Sequence, residues 1–300
     1  MVCGLVGSVA GLLGGASAAF IWRMHQQEGL SSPVYCAKKN EWTFSHDRFK
    51  PFKLISSRYE SNDTRRFYFA LDSSEDTFNM PVVSCIIARI TGADGREVLR
   101  PYIPISSNTT KGHFEILVQR TPNDEMAEHL FAMQSGDMLL VKGPFEKLAY
   151  KPNMWKHVGM IASGIGIAPM YQMLRAILEN RKDSTLISLI YANNQRRDIL
   201  LANELVELQK AYDNFNMYLT LVEPPRRWLG GIGPINLPMV STFMPKPGEK
   251  NTKILVSGSS HMMQTVSGDK LFSSGKPPRQ GPLTGLLREL GYKADQVFKF

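Results

Sequence analysis

One stretch of the chain, Val158–Glu179, constrains the fold more than any other. It opens with the apolar run Val158–Ala162, which predicts a buried parallel strand. The tight turn Ser163-Gly164-Ile165-Gly166-Ile167-Ala168-Pro169 follows. The apolar residues after the turn recur at helical spacing: Met170, Met173, Leu174, Ile177 and Leu178. Strand, turn and helix, with Pro169 at the first helical position, predict the opening unit of a nucleotide-binding α/β domain.

The chemistry behind this prediction lies in the turn. Small residues let the backbone approach phosphates, and the start of a helix supplies free N–H groups and the positive end of its dipole. The pattern is G-x-G-x-x-P, whereas the dinucleotide fingerprint is G-x-G-x-x-G. A plain strand-to-helix turn also needs glycine, so a turn without a ligand remains an alternative at this point.

Composition limits the class of protein. Three hundred residues suffice for two domains and an appendage. The net charge of +8 suits an acidic partner, but the basic residues are scattered, so nucleic acid is the weakest candidate. Cys3, Cys36 and Cys85 are too few and too dispersed for a disulfide framework or a zinc site, and we expect no metal.

The amino-terminal run Val2–Trp22 contains no charged residue. Its 21 residues would form a helix of roughly 30 Å, enough to cross a membrane. A cleaved signal peptide is the rival interpretation, but no basic segment precedes the run. Gly7, Gly11 and Gly15 lie four residues apart, which lets another membrane helix pack closely. We therefore expect a single amino-terminal membrane anchor over residues 1–23, followed by a polar linker over residues 24–49.

The chain from Phe52 to Tyr150 is rich in short β patterns. One helical insertion, Asp124–Met133, interrupts them. Short strands at close spacing predict a small antiparallel barrel, which we place in a domain of residues 50–152. The predicted strands are Phe52–Tyr59, Arg66–Leu71, Val82–Ile90, Phe114–Arg120 and Met138–Val141.

After Trp155 strands alternate with helices, which predicts a parallel sheet with helices on both faces in a domain of residues 153–300. The fold class is therefore α/β plus β: an antiparallel barrel, then a Rossmann-like parallel sheet, preceded by one transmembrane helix. The predicted elements after Val158–Ala162 are a strand Leu186–Ala192, a helix Ile199–Tyr212, and strands Met217–Val222 and Lys253–Ser257.

The segment Arg100–Ser106 reads R-P-Y-I-P-I-S, and further recognisable strings follow it toward the carboxyl terminus. This segment is similar to the flavin motif R-P-Y-T-P-I-S of the NADH–cytochrome b5 reductase family, within the ferredoxin–NADP reductase superfamily. The strings together resemble especially the mitochondrial membrane-anchored fungal-type members. The other matching strings follow in family order: Gly143-Pro144, Ile161–Pro169, Tyr191-Ala192-Asn193, Asp198-Ile199-Leu200-Leu201, Gly258, Met262-Met263, Glu289-Leu290-Gly291-Tyr292 and Gln296-Val297-Phe298-Lys299-Phe300. The resemblance covers about residues 50 to 300.

The resemblance implies FAD in the barrel and NADH in the α/β domain. Arg100 and Tyr102, two apart on an extended strand, point to one face, so they could hold the flavin diphosphate and ring. Gly164, Gly166 and Gly258 would let NADH approach. The complete set of cofactor-binding residues implied is Arg100, Tyr102, Ile103, Pro104, Ser106, Met126, Ala127, Gly164, Gly166, Pro169 and Gly258. We assign no catalytic residue and no metal ligand.

Departures from the family pattern fall on cofactor-facing positions. Ile103 replaces a threonine whose hydroxyl would face the flavin, and Gln119 replaces a lysine. The family turn G-x-M-S is here Asp124-Glu125-Met126-Ala127, where carboxylates would repel a diphosphate. The turn C-G-P-P is here Ser257-Gly258-Ser259-Ser260. Val222 replaces the aspartate that holds the adenine-side ribose, with Glu223 as a possible substitute.

Two hypotheses follow. The one we favour is a membrane-anchored FAD-dependent reductase that passes electrons from NADH to a heme protein such as cytochrome b5. The alternative is a catalytically degenerate, reductase-like structural subunit of a mitochondrial membrane assembly. An intermediate would bind FAD without turning over NADH. In each case residues 2–22 would hold the chain in a mitochondrial membrane, with the endoplasmic reticulum as second choice.

Overall fold

A computed structural model describes residues 42–273 and 276–300. The predicted membrane anchor, residues 1–23, and most of the predicted linker lie outside the described residues. Within the described part of the chain, no helix has both the length and the apolar character needed to cross a membrane.

The first half of the described chain folds into an antiparallel sheet with strand order β4-β3-β6-β1-β2-β5. A bridge between Pro104 and Ile116 joins the continuation of β4 to β5, so the sheet closes into a barrel-like form, as the sequence predicts. Its strands are β1 (Lys50–Tyr59), β2 (Thr64–Ala70), β3 (Ser84–Thr91), β4 (Glu97–Tyr102), β5 (His113–Gln119) and β6 (Met138–Glu146).

Aromatic side chains fill this barrel. In β2, Phe67 and Phe69 are fully buried while Tyr68 between them faces the other side, as the alternation of a strand requires. The ring of Phe69 stacks on that of Phe114 in β5, with 5.4 Å between centroids. Helix α1 (Glu125–Ala132) follows β5 and buries Met126 and Leu130 in the same core. It lies where the sequence predicts a helix.

The second half contains the predicted parallel sheet, with strand order β10-β9-β8-β7-β11-β14 and every pairing parallel. A separate antiparallel hairpin lies outside it. The sheet strands are β7 (His157–Ser163), β8 (Leu186–Asn193), β9 (Phe215–Leu221), β10 (Gly231–Ile232), β11 (Thr252–Ser257) and β14 (Val297–Lys299), and the hairpin strands are β12 (Leu271–Ser273) and β13 (Lys276–Arg279).

Helices cover both faces of the parallel sheet, as predicted. Helices α2 (Ile167–Leu178) and α3 (Ala202–Ala211) pack on the face that looks toward the barrel. The opposite face carries α4 (Leu237–Phe243), α5 (Ser260–Val266) and α6 (Gly285–Glu289).

Two local predictions differ from the structure. Helix α3 begins at Ala202 and not at Ile199, because Leu201 before it adopts the left-handed conformation (φ 58°) and so ends any earlier helical turn. Pro169 is the third residue of α2, not its first, because a short 3-10 turn, Gly164–Gly166, precedes the helix. Its missing N–H is still tolerated there, since the first-turn N–H groups have no partner within the helix.

One side chain joins the two halves at their interface. The carboxamide of Gln172 on α2 accepts a hydrogen bond from the Ser84 N–H at 2.9 Å. It donates another to the Pro104 carbonyl at 3.0 Å. The barrel residues Val83 and Ile105 belong to the same apolar core as α2. The barrel and the parallel sheet therefore share a core.

Candidate functional site

A cleft of about 690 Å³ opens at the carboxyl ends of the parallel strands, next to the barrel. Ligands of open α/β sheets bind at this edge. The walls come from both halves of the chain. The barrel contributes Ser61–Thr64 and Gln119, and the sheet and its loops contribute Ser163–Ile165, Ala192–Asn194, Asp198, Leu200, Val222, Pro234, Ile235, Gly258, Ser259, His261, Met262, Thr265 and Val266.

The three predicted glycines of the cleft have different roles. Gly164 adopts a positive φ of 50°, and a methyl group placed on it would meet no atom within 4 Å. A methyl group on Gly166 would lie 2.2 Å from the Ser257 carbonyl oxygen, and one on Gly258 would lie 2.1 Å from the Ser163 hydroxyl oxygen. The small size of Gly166 and Gly258 lets the two turns touch, whereas Gly164 leaves space above its own turn. Gly164 and Gly258 both line the cleft, and the approach of NADH to the three glycines stays a prediction.

The turns are fastened by polar contacts from neighbouring strands. The Tyr191 hydroxyl donates to the Gly164 carbonyl at 3.0 Å and accepts from the Leu200 N–H at 3.3 Å. Complete burial raises the pKa of Tyr191 far above its ordinary value, so this hydroxyl keeps its proton. The Ser163 hydroxyl accepts from the Ser259 N–H at 3.1 Å. The shape of the cleft floor is thus fixed by the protein alone.

Sequence reasoning did not assign Asn193 to the site. This residue ends β8, is 7% exposed, and has a carboxamide of which neither the nitrogen nor the oxygen has a partner. The string Tyr191-Ala192-Asn193 includes this residue, but only the folded chain shows that its carboxamide has no hydrogen-bond partner.

A second site lies on the barrel, where β4 meets the start of α1. The guanidinium of Arg100 lies 3.5 Å (Nε to Oδ1) from the Asp124 carboxylate. The same carboxylate oxygen accepts from the Met126 N–H at 3.2 Å and the Ala127 N–H at 3.3 Å. An arginine and the first N–H groups of a helix are donors that bind anions, and here the anion is the chain's own carboxylate.

Tyr102, two residues beyond Arg100, packs against the barrel core. Burial and then the negative charge of Asp124 raise the pKa of its hydroxyl, whereas Arg100 lowers it. The structure thus brings the predicted pair Arg100 and Tyr102 together at one place, with Asp124 between them and α1. Neither is among the described residues that line the cleft.

The side chains of four other predicted cofactor-binding residues serve the protein core. Met126 and Ala127 are fully buried in the barrel, so only their N–H groups belong to the anion site. The Ser106 hydroxyl accepts from the Glu115 N–H at 2.8 Å. Pro169 is buried within α2. A role for these four residues in cofactor binding stays a prediction.

Of the other positions that depart from the family pattern, Gln119 and Ile103 have protein contacts, whereas Val222 is exposed. Gln119 donates to the Asp63 carboxylate at 2.7 Å across the cleft wall. Ile103 packs against the core shared with α2, and the Pro104 carbonyl is the acceptor for Gln172. Val222 is 51% exposed at the cleft edge, and the Glu223 carboxylate accepts from the Gln195 side chain at 2.5 Å.

The two sites suit different cofactor groups. The donors of the barrel site suit the negative charge of the FAD diphosphate, since they already bind a negative group, the Asp124 carboxylate. The cleft fits a dinucleotide, because it offers an open glycine and an unpaired carboxamide in a volume of this size. Among the described residues, no cluster of histidine, cysteine, aspartate or glutamate could hold a metal ion.

Comparison with known proteins identifies the two halves of the chain. The family described as "Oxidoreductase FAD-binding domain" matches residues 51–150, and "Oxidoreductase NAD-binding domain" matches residues 160–268. The "NADH-cytochrome b5 reductase-like protein" of Arabidopsis thaliana is 39% identical over 98% of this chain and 89% of its own length. "NADH-cytochrome b5 reductase 2" of Aspergillus terreus is 39% identical over 83% of this chain and 77% of its own length.

A solved structure shares the fold. The cytochrome b5 reductase domain of Ulva prolifera nitrate reductase superposes with a TM-score of 0.70 at 28% identity. The match covers 84% of this chain and 97% of that one.

Proposed function

Because the chain belongs to the NADH–cytochrome b5 reductase family, whose cofactors are FAD and NADH, we propose that this oxidoreductase passes electrons to a heme protein such as cytochrome b5. The observation that carries the proposal is the composition of the cleft. The barrel residues Thr64 and Gln119 face the glycine turn at Gly164 across one opening. A flavin held by the barrel and a dinucleotide held by the parallel sheet would therefore approach each other at this opening.

Bound FAD supplies the redox chemistry, accepting a hydride and releasing single electrons. The chain's own residues would hold it in position. Arg100 and the start of α1 would hold the diphosphate, and Tyr102 would lie beside the flavin. Gly164 leaves room for the dinucleotide, and Tyr191 holds the Gly164 carbonyl so that the turn keeps its shape.

Charge supports a protein acceptor. The formal net charge of +8 favours an acidic partner such as an acidic cytochrome. Long-range attraction of this kind raises the association rate at low salt more than it raises affinity.

We also propose a location. The uncharged run Val2–Trp22 would anchor the chain in a membrane, which the sequence resemblance suggests is mitochondrial. Resistance of the intact chain to extraction by alkaline carbonate, and release after deletion of residues 1–22, is the expected result. Equal extraction of both forms would exclude the anchor.

One observation favours the alternative of a degenerate structural subunit. Asp124 occupies the donors that the FAD diphosphate would use, so FAD and Asp124 compete for Arg100. Weak FAD binding would leave a reductase-like body without turnover.

The deciding experiment measures the visible absorption of the purified full chain, and then NADH-dependent reduction of cytochrome b5. The proposal expects a yellow protein that reduces cytochrome b5 with NADH. Arg100→Ala should lose FAD, because it removes the charged side chain from the anion site. A colourless protein that remains inactive with added FAD would favour the structural subunit.

A further inference from the structure

The carboxamide of Asn193 stands out among the buried polar groups. It is 7% exposed, yet neither Nδ2 nor Oδ1 meets a partner at hydrogen-bonding geometry. Native proteins pair nearly all such groups, so each exception calls for a physical reason. The only other unpaired buried side-chain atom among the described residues is the Ser84 hydroxyl, which does not line the cleft.

The groups around Asn193 form no hydrogen bond with its carboxamide. The Tyr191 hydroxyl lies close enough to the Asn193 carboxamide for this contact to lower the Tyr191 pKa against the larger effect of burial, but the two groups do not meet at hydrogen-bonding geometry. The hydroxyl donates its single proton to the Gly164 carbonyl. It therefore cannot donate to Oδ1. The backbone of Asn193 is engaged in the sheet, where its carbonyl accepts from the Val222 N–H at 3.1 Å. The strand thus holds the carboxamide at the cleft wall without a protein acceptor and donor.

A ligand in the cleft would supply both missing bonds. A carboxamide presents one acceptor and two donor hydrogens side by side. A phosphate only accepts, so it could satisfy Nδ2 but would leave Oδ1 unpaired. A ribose diol both donates and accepts, and it occurs in each nucleoside half of NADH.

We propose that Asn193 binds the ribose hydroxyls of the dinucleotide through both atoms of its carboxamide. The proposal rests on the proposed function, which places a dinucleotide in this cleft. In this assignment β8 contributes a ligand-binding side chain at its last residue, one strand away from the glycine turn. The polar group is kept for binding, and it contributes nothing to the stability of the ligand-free protein.

The test uses two variants of nearly identical shape, Asn193→Val and Asn193→Thr, in the full chain. Both side chains are branched and suit a strand, and they differ by a hydroxyl that donates and accepts. Calorimetry with NAD⁺, AMP and nicotinamide mononucleotide measures affinity, and thermal unfolding measures Tm. The matched control is Asn216→Val, the same change at an exposed position on β9.

We expect Asn193→Val to bind NAD⁺ at least about tenfold more weakly, with a Tm equal to or above that of the unaltered protein. Asn193→Thr should recover several-fold of this loss, and Asn216→Val should bind normally. A loss for AMP places the diol on the adenosine half, and a loss for nicotinamide mononucleotide places it on the other half.

Two results would overturn the inference. Equal NAD⁺ affinity in all variants would show that the carboxamide touches no ligand. A loss of affinity that accompanies a lower Tm, and that Thr does not relieve, would show a structural role. If the unaltered protein binds none of the three nucleotides, the proposed function fails, and this inference fails with it.

Discussion

At the scale of single residues, Asp124 is both the cap of α1 and the ion-pair partner of Arg100. The sequence predicts repulsion between this carboxylate and a diphosphate. The structure adds that the carboxylate already occupies the donors. Removing its charge while keeping the cap separates these two roles, because asparagine caps helices as well as aspartate does.

We therefore expect Asp124→Asn to bind FAD more tightly, by roughly tenfold for about 1.4 kcal/mol of relieved competition and repulsion. Quenching of flavin fluorescence on titration of the flavin-free protein measures this affinity. Glu125→Gln is the control, since the Glu125 carboxylate accepts from the Ala93 N–H and does not pair with Arg100. Tighter binding in Glu125→Gln alone would contradict the assignment.

Gly166 illustrates a residue whose identity follows from packing. We expect Gly166→Ala to lower the free energy of unfolding by about 1–3 kcal/mol, because its methyl group would lie 2.2 Å from the Ser257 carbonyl oxygen. Gly164→Ala provides the comparison, since it meets no neighbour and costs only backbone strain, about 1 kcal/mol. Urea denaturation gives both values. An equal loss in the two variants would mean that the contact relaxes freely.

The sequence predicts the roles of some of these residues better than the roles of others. Arg100 and Tyr102 could be paired because two residues on a strand share a face. The contacts of Gly166 and Gly258 could not, since they depend on the Ser257 carbonyl and the Ser163 hydroxyl, which lie far away in the chain. The contact of Ser106 depends on the Glu115 N–H, which the following strand supplies. The lack of a partner for Asn193 is likewise a property of the assembled cleft.

At the scale of elements, the loops after β8 and β9 form one surface. The Glu223 N–H donates to the Asn194 carbonyl at 2.8 Å, which holds the two loops together. These loops also carry exposed arginines, at positions 196, 197, 226 and 227. In dinucleotide-binding folds an acidic side chain selects the ribose 2′-hydroxyl of NAD, and a nearby arginine accommodates a 2′-phosphate. Val222 offers no carboxylate at this edge.

We therefore expect the enzyme to use NADPH with a kcat/KM within about tenfold of that for NADH. Val222→Asp should lower the value for NADPH more than about tenfold by charge repulsion and leave NADH nearly unchanged. Val206→Asp, on an exposed site of α3, is the matched control. Strong rejection of NADPH by the unaltered protein would indicate that Glu223 performs the missing task.

The periodicity of apolar residues predicts the long elements of both halves, but it does not predict the short ones. The strand at Val158 and the helix after it contain enough apolar repeats to identify them. Elements such as β10, with two residues, and α6, with five, are too short for a period to show. Pairing with β9 holds β10, and packing against α4 and α5 holds α6, contacts that a local pattern does not contain.

At the scale of the whole molecule, Arg66 connects the two halves. Its guanidinium on β2 contacts Glu115 within the barrel and Glu204 on α3, each at 2.5 Å. Burial raises the pKa of Glu204, but the hydrogen bond from Arg66 and the charges of Arg66 and Arg58 outweigh it. The pKa of this carboxyl is therefore below its ordinary value.

A lowered pKa means that the ionised carboxylate favours the folded state. This contribution is present above the ordinary pKa of 4.5 and is lost as the pH falls through the folded value. We expect the free energy of unfolding to decrease between about pH 6 and about pH 3, and Glu204→Gln to show a smaller decrease. Urea denaturation across this range measures it. Glu207→Gln, which removes an exposed pair with Lys210, should retain the full decrease.

The two hydrogen bonds of Gln172 bear on whether either half could exist alone. A fragment ending before β7 would expose the Ser84 N–H and the Pro104 carbonyl that Gln172 now covers, along with Val83 and Ile105. A fragment starting at β7 would uncover the apolar side of α2. Each piece would expose an apolar surface to solvent, and such surfaces promote aggregation. We expect the halves to be insoluble when expressed separately, and to be recovered as a folded protein when they are produced together.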